Sequence, residues 1–380
     1  MNKLFANFLA FTAALGVVSG LFIISKDSIL SYHTDLLRNS LQKTVTLQSD
    51  LESGKIVAFG TSELVLYPNQ RFLPQKFFND ELKQPLRVQG NEGQQTFAIM
   101  SQLAACFNEE SKENAKIVIF LSPSWFTGNG NNGTKIPKFL EFMPLGMMNK
   151  LYFESTIDDS FKLLISQYVQ KNINYIENPS FLYKQSYESI KENYFDNYIK
   201  KFIIQNFHNK TNEIVNYTAP KIDYKVLEEE ALNIEKMNSN NNIYGINNLY
   251  FSRIIQPEIN KGNFPFAITV ESDLSKNQEY QDFVVLLELL NNYKIKPFFV
   301  IEDFHPDIYI NNRDKMENVI GAIKSKIEEY NYSYYDMWSY KKEDYKLGML
   351  TDLVHLGEVG WIKLNQKIIE HFMVEKKVEK

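Results

Sequence analysis

Cysteine is almost absent from this chain of 380 residues: Cys106 is the only one. No internal disulfide can form, so the fold must rest on its core, and many exported bacterial proteins are built this way. Cys106 itself, within Gln102-Leu103-Ala104-Ala105-Cys106-Phe107, reads as a small buried apolar residue on a helix and not as a nucleophile. An excess of positive charge is missing too. Lys and Arg number 41 against 46 Asp and Glu, a formal net charge of −5, which argues against a nucleic-acid partner. The chain also has no internal repeat, Walker loop, HExxH helix or paired CxxC, so the familiar phosphate-binding and zinc motifs are excluded.

Only one long apolar run is present. Leu4 to Ile24 is 21 residues without a charge, and Asn7 is its one strongly polar member. As a helix it would reach roughly 30 Å, about the thickness of the hydrocarbon core. A secretory signal peptide is the rival reading, but its apolar region is normally shorter, and Val18-Ser19-Gly20 is a poor cleavage site. The expectation is an uncleaved transmembrane helix in residues 1–25, followed by an extracytoplasmic domain over 26–380. Lys3 precedes the run and Lys26 follows it beside Asp27, so the charge bias toward this orientation is small.

The remainder alternates between strand-like and helix-like patterns. Lys55-Ile56-Val57-Ala58-Phe59 is stopped by Gly60, and Lys116-Ile117-Val118-Ile119-Phe120-Leu121 is ended by Pro123. Such runs, apolar on both faces, suit buried parallel strands. Between them the stretch Gly90-Asn91-Glu92-Gly93-Gln94-Gln95 leads into a helical run from Thr96 to Phe107. Further on, Phe266–Val270, Pro297–Ile301 and Tyr332–Asp336 read as strands. Phe283, Leu286, Leu287 and Leu290 share a helical face, and Met316, Val319, Ile320, Ile323 and Ile327 define a second amphipathic helix. Strands separated by helices of ordinary length predict βαβ units, a parallel sheet and a site at the carboxyl ends of its strands.

Residues 140 to about 235 break this rhythm and read as a helical insertion. Phe161, Leu164, Ile165 and Tyr168 lie at helical spacing, as do Tyr187, Ile190, Tyr194 and Tyr198; the aromatic stripe suits internal packing of the insert. The tract Asn238-Ser239-Asn240-Asn241-Asn242 reads as the loop back to the core.

Two short motifs carry chemistry. Phe59-Gly60-Thr61-Ser62-Glu63-Leu64 puts a serine after the first strand, and Thr351-Asp352-Leu353-Val354-His355-Leu356 puts an Asp-x-x-His pair near the other end. Nucleophilic catalysis needs a hydroxyl, a base to take its proton and a carboxylate to orient the base. Ser62 is the candidate nucleophile, His355 the base and Asp352, three residues earlier on one helical turn, its orienter. Alone, a serine after a strand is an ordinary turn residue and Asp-x-x-His an ordinary cap; it is their combination in the order Ser, Asp, His that points to an SGNH-type hydrolase or acyltransferase.

The stretches 59–64, Ser122-Pro123-Ser124-Trp125-Phe126, Asn241-Asn242-Ile243-Tyr244-Gly245-Ile246, Lys296–Ile301 and Thr351–Trp361, in this order along nearly the whole chain, resemble the DltD family. The resemblance implies an SGNH-hydrolase-like three-layer α/β/α domain outside the membrane. It implies a role in placing D-alanyl esters on lipoteichoic acid, beside a membrane-bound O-acyltransferase and a D-alanyl carrier protein. Ser62 then occupies the serine of the family's Gly-Ser/Thr-Ser-Glu pattern. Two other classes stay open on the residues: a non-catalytic assembly factor of the D-alanylation machinery, and an SGNH O-acetyltransferase of an exopolysaccharide.

Oxyanion donors are expected from the backbone N–H groups of Ser62 and Gly93, with Gln95 as a side-chain donor, because the Gly-rich stretch precedes a helix N-terminus. No Asn stands after the second strand, where the SGNH pattern has one. Trp125 reads equally as a wall of the acyl pocket or as core. Glu302, Asp303, His305 and Asp307 crowd together, but a polar loop at a strand's carboxyl end accounts for them. No metal and no cofactor are assigned.

Overall fold

The computed structural model describes Asn7 and residues 10–18, 20–21, 44–128, 133–144, 147–148, 150–154, 157–171, 213–338, 345 and 347–373. Among the described residues seven strands are formed: β1 Ile56–Gly60, β2 Leu86–Gly90, β3 Lys116–Leu121, β4 Phe266–Ala267, β5 Phe298–Ile301, β6 Tyr309–Asn311 and β7 Ser333–Asp336. The helices that cover the sheet include α1 Thr96–Cys106, α2 Tyr224–Asn238, α3 Gln278–Asn292, α4 Arg313–Glu329 and α5 Glu358–Phe372. Five strands make one wholly parallel sheet in the order β2–β1–β3–β5–β7, with Val57 beside Ile117 and Val118 beside Phe298.

Successive side chains of a strand point to opposite faces, so a strand apolar at every position must be covered on both. Val57, Phe59, Ile117, Ile119, Phe299 and Ile301 face one core with α1, α3 and α4. Ile56, Ala58, Val118, Phe120, Phe298 and Val300 face the other, where Trp361 and Ile362 of α5 and Ala231 of α2 pack with Phe72 and Phe78. The result is three layers, α/β/α, as expected. Chain order reverses beside β1, since β2 lies on one side of it and β3 on the other. In open α/β sheets the crevice beyond the carboxyl ends at such a point is where ligands bind.

Several expectations need correction. β2, which the sequence reading did not single out, is an edge strand with Arg87 and Gln89 half-buried. The segment Phe266–Val270 contributes only Phe266–Ala267, paired with β6 in a separate two-stranded sheet. The helical stripe Phe161, Leu164, Ile165 and Tyr168 lies on the helix Asp159–Lys171 and packs into the main core, Tyr168 stacking on Phe97 with 3.9 Å between ring centroids. Tyr187, Ile190, Tyr194 and Tyr198 lie outside the described residues. At the end of α2 the Asn tract does form a loop, closed by Asn242, whose side chain accepts from the N–H of Tyr244 and Ile246 and donates to Ile246 O at 2.7 Å.

The expected transmembrane helix is not supported by the structure. Among the described residues no helix is long and apolar enough to cross a membrane. Of Leu4–Ile24, residues 7, 10–18 and 20–21 are described and helical, with Phe11, Leu15, Val17, Val18 and Leu21 exposed; the rest of that run lies outside the described residues.

Candidate active site

β1 delivers Ser62 to the reversal point. Gly60 ends the strand because nothing larger fits: a Cβ there would stand 2.1 Å from Glu63 Oε1. The chain then turns through Thr61, whose N–H donates to Glu63 Oε1 at 2.5 Å, into the short 3-10 turn Ser62–Leu64. The second motif arrives after β7 as a bent loop. It is not a helical turn, as the sequence suggested. Leu350 and Leu356 form an antiparallel bridge at its base, Thr351 N–H donates to His355 O at 2.8 Å, and Asn247 and His305 donate backbone N–H groups to Thr351 O and Leu353 O.

This loop brings the three predicted residues into a line. Ser62 Oγ is 2.9 Å from His355 Nε2, and His355 Nδ1 is 2.7 Å from Asp352 Oδ2. Asp352, only 2% exposed, accepts three further hydrogen bonds: from the N–H of Val354 at 2.9 Å, the N–H of His355 at 2.8 Å and the hydroxyl of Tyr67 at 2.6 Å. Burial pushes this carboxyl up, but the hydrogen bond and charge of His355, with the Tyr67 and Val354 donors, outweigh burial and hold it below its ordinary value. Burial pulls His355 down, and Asp352 more than offsets it, so the imidazole binds a proton more tightly than usual. With Nδ1–H directed at the carboxylate, the lone pair of Nε2 is left facing Ser62.

Beneath this line lies a second acidic group of opposite character. Glu63 is 2% exposed, and its carboxyl is pushed up to about 6 by burial, against the lowering effect of the Thr61 N–H. Glu302, at the end of β5, is 1% exposed and is pushed well above its ordinary value by burial and by Glu63, while Ser122 opposes this through a side-chain hydrogen bond; Oε1 of Glu302 has no hydrogen-bond partner. The neighbouring polar residues turn to separate partners. Asp303 pairs with Arg313 at 2.5 Å, and His305 donates from Nε2 to Tyr244 O at 2.8 Å while Nδ1 accepts from Asp307 N–H. Among the described residues no group of three or more metal-capable side chains converges.

The remaining candidates fall elsewhere. Gly93, with φ at +82°, is exposed, and its N–H donates to Thr61 Oγ1 at 2.9 Å. Gln95 is half-buried and caps α1 through its backbone without a side-chain capping bond. Trp125 is buried in the main core beside Phe126, although its neighbours Ser124 and Thr127 line a cleft of about 430 Å³ that reaches Asp352 and His355. Gly93, Gln95 and Trp125 are not among the residues that line it. Tyr67, Tyr250 and Tyr309, which do, were not singled out from the sequence. Tyr67 follows Ser62 by five residues but meets a carboxylate 285 positions away, and no local pattern marks such a contact.

The model of the DltD protein family matches residues 33–373. Protein DltD of Staphylococcus aureus (strain NCTC 8325 / PS 47) is 22% identical over 290 residues, covering 70% of this chain and 68% of that protein. This chain belongs to the DltD family.

Proposed function

We propose that this DltD-family chain is a serine acyltransferase of the SGNH type that transfers D-alanyl groups to teichoic acid at the outer face of the cell membrane. The observation that carries the proposal is the hydrogen-bonded line Ser62–His355–Asp352, set at the chain-reversal point of the sheet. In the first step His355 Nε2 takes the proton of Ser62 Oγ as the oxygen attacks the carbonyl of the D-alanyl donor. The tetrahedral intermediate collapses, the leaving group takes that proton from His355, and D-alanyl-Ser62 remains. A hydroxyl of the acceptor polymer then gives its proton to His355 and attacks the acyl-serine, which forms the new ester and restores Ser62.

Asp352 stabilises the imidazolium in both steps, and its four hydrogen bonds keep it ionised in a buried place. The backbone N–H of Ser62, which has no partner among the described residues, serves as an oxyanion donor. The Gly93 N–H is held by Thr61 and the Ser124 hydroxyl lies 3.0 Å from that of Ser122, so a second donor has to come with the substrate or a partner. The donor is read as supplied by the membrane-bound O-acyltransferase and D-alanyl carrier protein that the family resemblance implies.

The test is Ser62→Ala in cells. Teichoic acid should lose its D-alanyl esters while the protein's level is unchanged, because a missing triad nucleophile costs several orders of magnitude in rate. Ester content equal to wild type would overturn the catalytic reading and leave the chain an assembly factor.

A further inference from the structure

The cleft beside the triad has a composition that its volume alone does not explain. None of the described side chains lining it is Lys or Arg, and His355 is its one basic group. Its walls are aromatic and aliphatic, with Tyr250, Tyr309 and Phe304 among them. The rings of Phe304 and Tyr309 lie 4.8 Å apart, and Tyr309 packs on Phe266 at 5.7 Å, so this wall is braced from behind. The hydroxyls of Tyr250 and Tyr309 have no hydrogen-bond partner among the described residues, whereas that of Tyr67 is spent on Asp352. The negative charge nearest this space is the Asp352 carboxylate, which also lines it.

A space with π-faces, unpartnered phenol oxygens, an ionised carboxylate and no lysine or arginine disfavours a polyanionic chain and favours a positively charged ligand. An aminoacyl group carries such a charge on the carbon next to its reactive carbonyl; a simple acyl group does not. We propose that Tyr250 and Tyr309 form the acyl-selecting wall of the site, receiving the ammonium of an aminoacyl group on their hydroxyls and ring faces, while the phosphates of any acceptor polymer stay outside the cleft. The Asp352 carboxylate acts in the same sense on both phenols: burial first and then Asp352 push them above their ordinary values, and the Asp352 part, which opposes a phenolate, favours an ammonium. The inference rests on the proposed acyl transfer through Ser62 and adds what distinguishes one acyl group from another.

The experiment uses the full chain and two thioesters of N-acetylcysteamine, D-alanyl and propionyl, which differ only by the ammonium. Because the α-ammonium activates the carbonyl by itself, each kcat/KM is divided by the uncatalysed hydrolysis rate of the same thioester, and in the wild type this corrected ratio should favour D-alanyl by about tenfold or more, the range expected of a desolvated ammonium on aromatic faces. Tyr250→Phe and Tyr309→Phe, which keep the rings, should each lower that ratio by about threefold, and the double change to Leu should bring it close to one. A ratio near one in the wild type, or an unchanged ratio in the double variant, overturns the inference. Ser62→Ala separates the two claims: if it abolishes turnover of both thioesters while the tyrosine variants keep the preference, the triad stands and the wall falls. If wild type and Ser62→Ala turn over the thioesters equally, the catalytic reading falls. Titration of Ser62→Ala with D-alaninamide and propionamide, followed by tyrosine NMR signals, then decides the wall by itself: binding of the first only sustains it, and equal or absent binding removes it.

Discussion

Asp352 and Glu302 are almost equally buried at the same end of the sheet, yet their surroundings shift their acidity in opposite directions. Asp352 accepts four hydrogen bonds, from two backbone N–H groups, an imidazole and a phenol, and its carboxyl stays below its ordinary value. Glu302 keeps one oxygen without a donor, stands beside a second buried acid, Glu63, and is raised far above its own. Burial penalises the charge in both; the number of donors decides which one keeps it. One end of the sheet therefore carries a carboxyl whose ionisation its surroundings favour and another whose ionisation they oppose, a difference made by environment and not by residue type.

The strongest blow to this comparison strikes the ionised side. His355→Ala should cost about five or more orders of magnitude in acyl turnover, and Asp352→Asn about four, since the amide preserves shape but neither fixes the tautomer nor stabilises an imidazolium. The pH profile distinguishes orientation from mere packing. Asp352 is what lifts His355 above 6.5, so the rising limb of kcat/KM should begin above that pH in the wild type and move lower in Asp352→Asn. A limb that stays in place would mean that Asp352 does not act through its charge.

The carboxyls that burial raises are tested by stability. Glu63, Asp303 and Glu279 are all raised by burial, to about 6, about 7 and about 8 respectively. In the unfolded chain each returns to its ordinary value near 4, so their contribution is fully present below that value and is lost as pH rises through the folded values. His355, also raised in the folded protein, is lost in the same direction above 6.5. Asp352, lowered, matters only in strong acid. The folding equilibrium constant, followed by urea denaturation, should thus fall by about tenfold or more between pH 5.5 and 8. Glu279→Gln should flatten the upper part of that slope. Stability that rises over the interval would mean that burial does not raise these carboxyls.

The two sides also differ in how visible they were. β1 and β3 could be read as strands because both faces of a central strand are apolar, and Ser62, Asp352 and His355 because a triad needs those types in that order. β2 was hidden because Leu86-Arg87-Val88-Gln89-Gly90 is an edge strand whose polar face the partner elements tolerate. The Asp352 loop looked helical by its spacing, and only the Leu350–Leu356 bridge and the backbone bonds from Asn247 and His305 bend it. Gly93 lay where an oxyanion donor was expected; Thr61, which no pattern pairs with it, takes its N–H. Tyr67 and the Glu63–Glu302 floor depend on contacts between β1, the β5 end and the last loop, and long-range contacts leave no local signature.

Tyr67 allows a finer cut into the ionised side. Its hydroxyl gives Asp352 one donor, and its ring meets His355 edge-on at 5.8 Å. Tyr67→Phe keeps the ring contact and removes the donor alone, which should lower kcat by about three- to tenfold with little change in KM. The carboxylate, relieved of a competing donor, would pull harder on the imidazolium, so the rising limb of the pH profile should move slightly upward. An unaltered limb with the same rate loss would assign Tyr67 to packing.

The smallest effect is expected from Glu302→Gln, and its smallness is what makes it informative. If Glu302 is protonated at neutral pH, the amide is close to isosteric with it and changes no charge. It can still accept from the Ser122 hydroxyl, and kcat/KM at pH 7 should stay within about twofold of wild type. Glu302→Ala is the contrasting change, because it opens a cavity beneath Ser122 and Glu63 and should cost stability whatever the charge. A large loss in Glu302→Gln at pH 7, with stability retained, would mean that the floor carries a negative charge after all. The Asp352 donors would then no longer account for the division of roles, since two carboxylates with unequal hydrogen bonding would both be ionised in the same buried site.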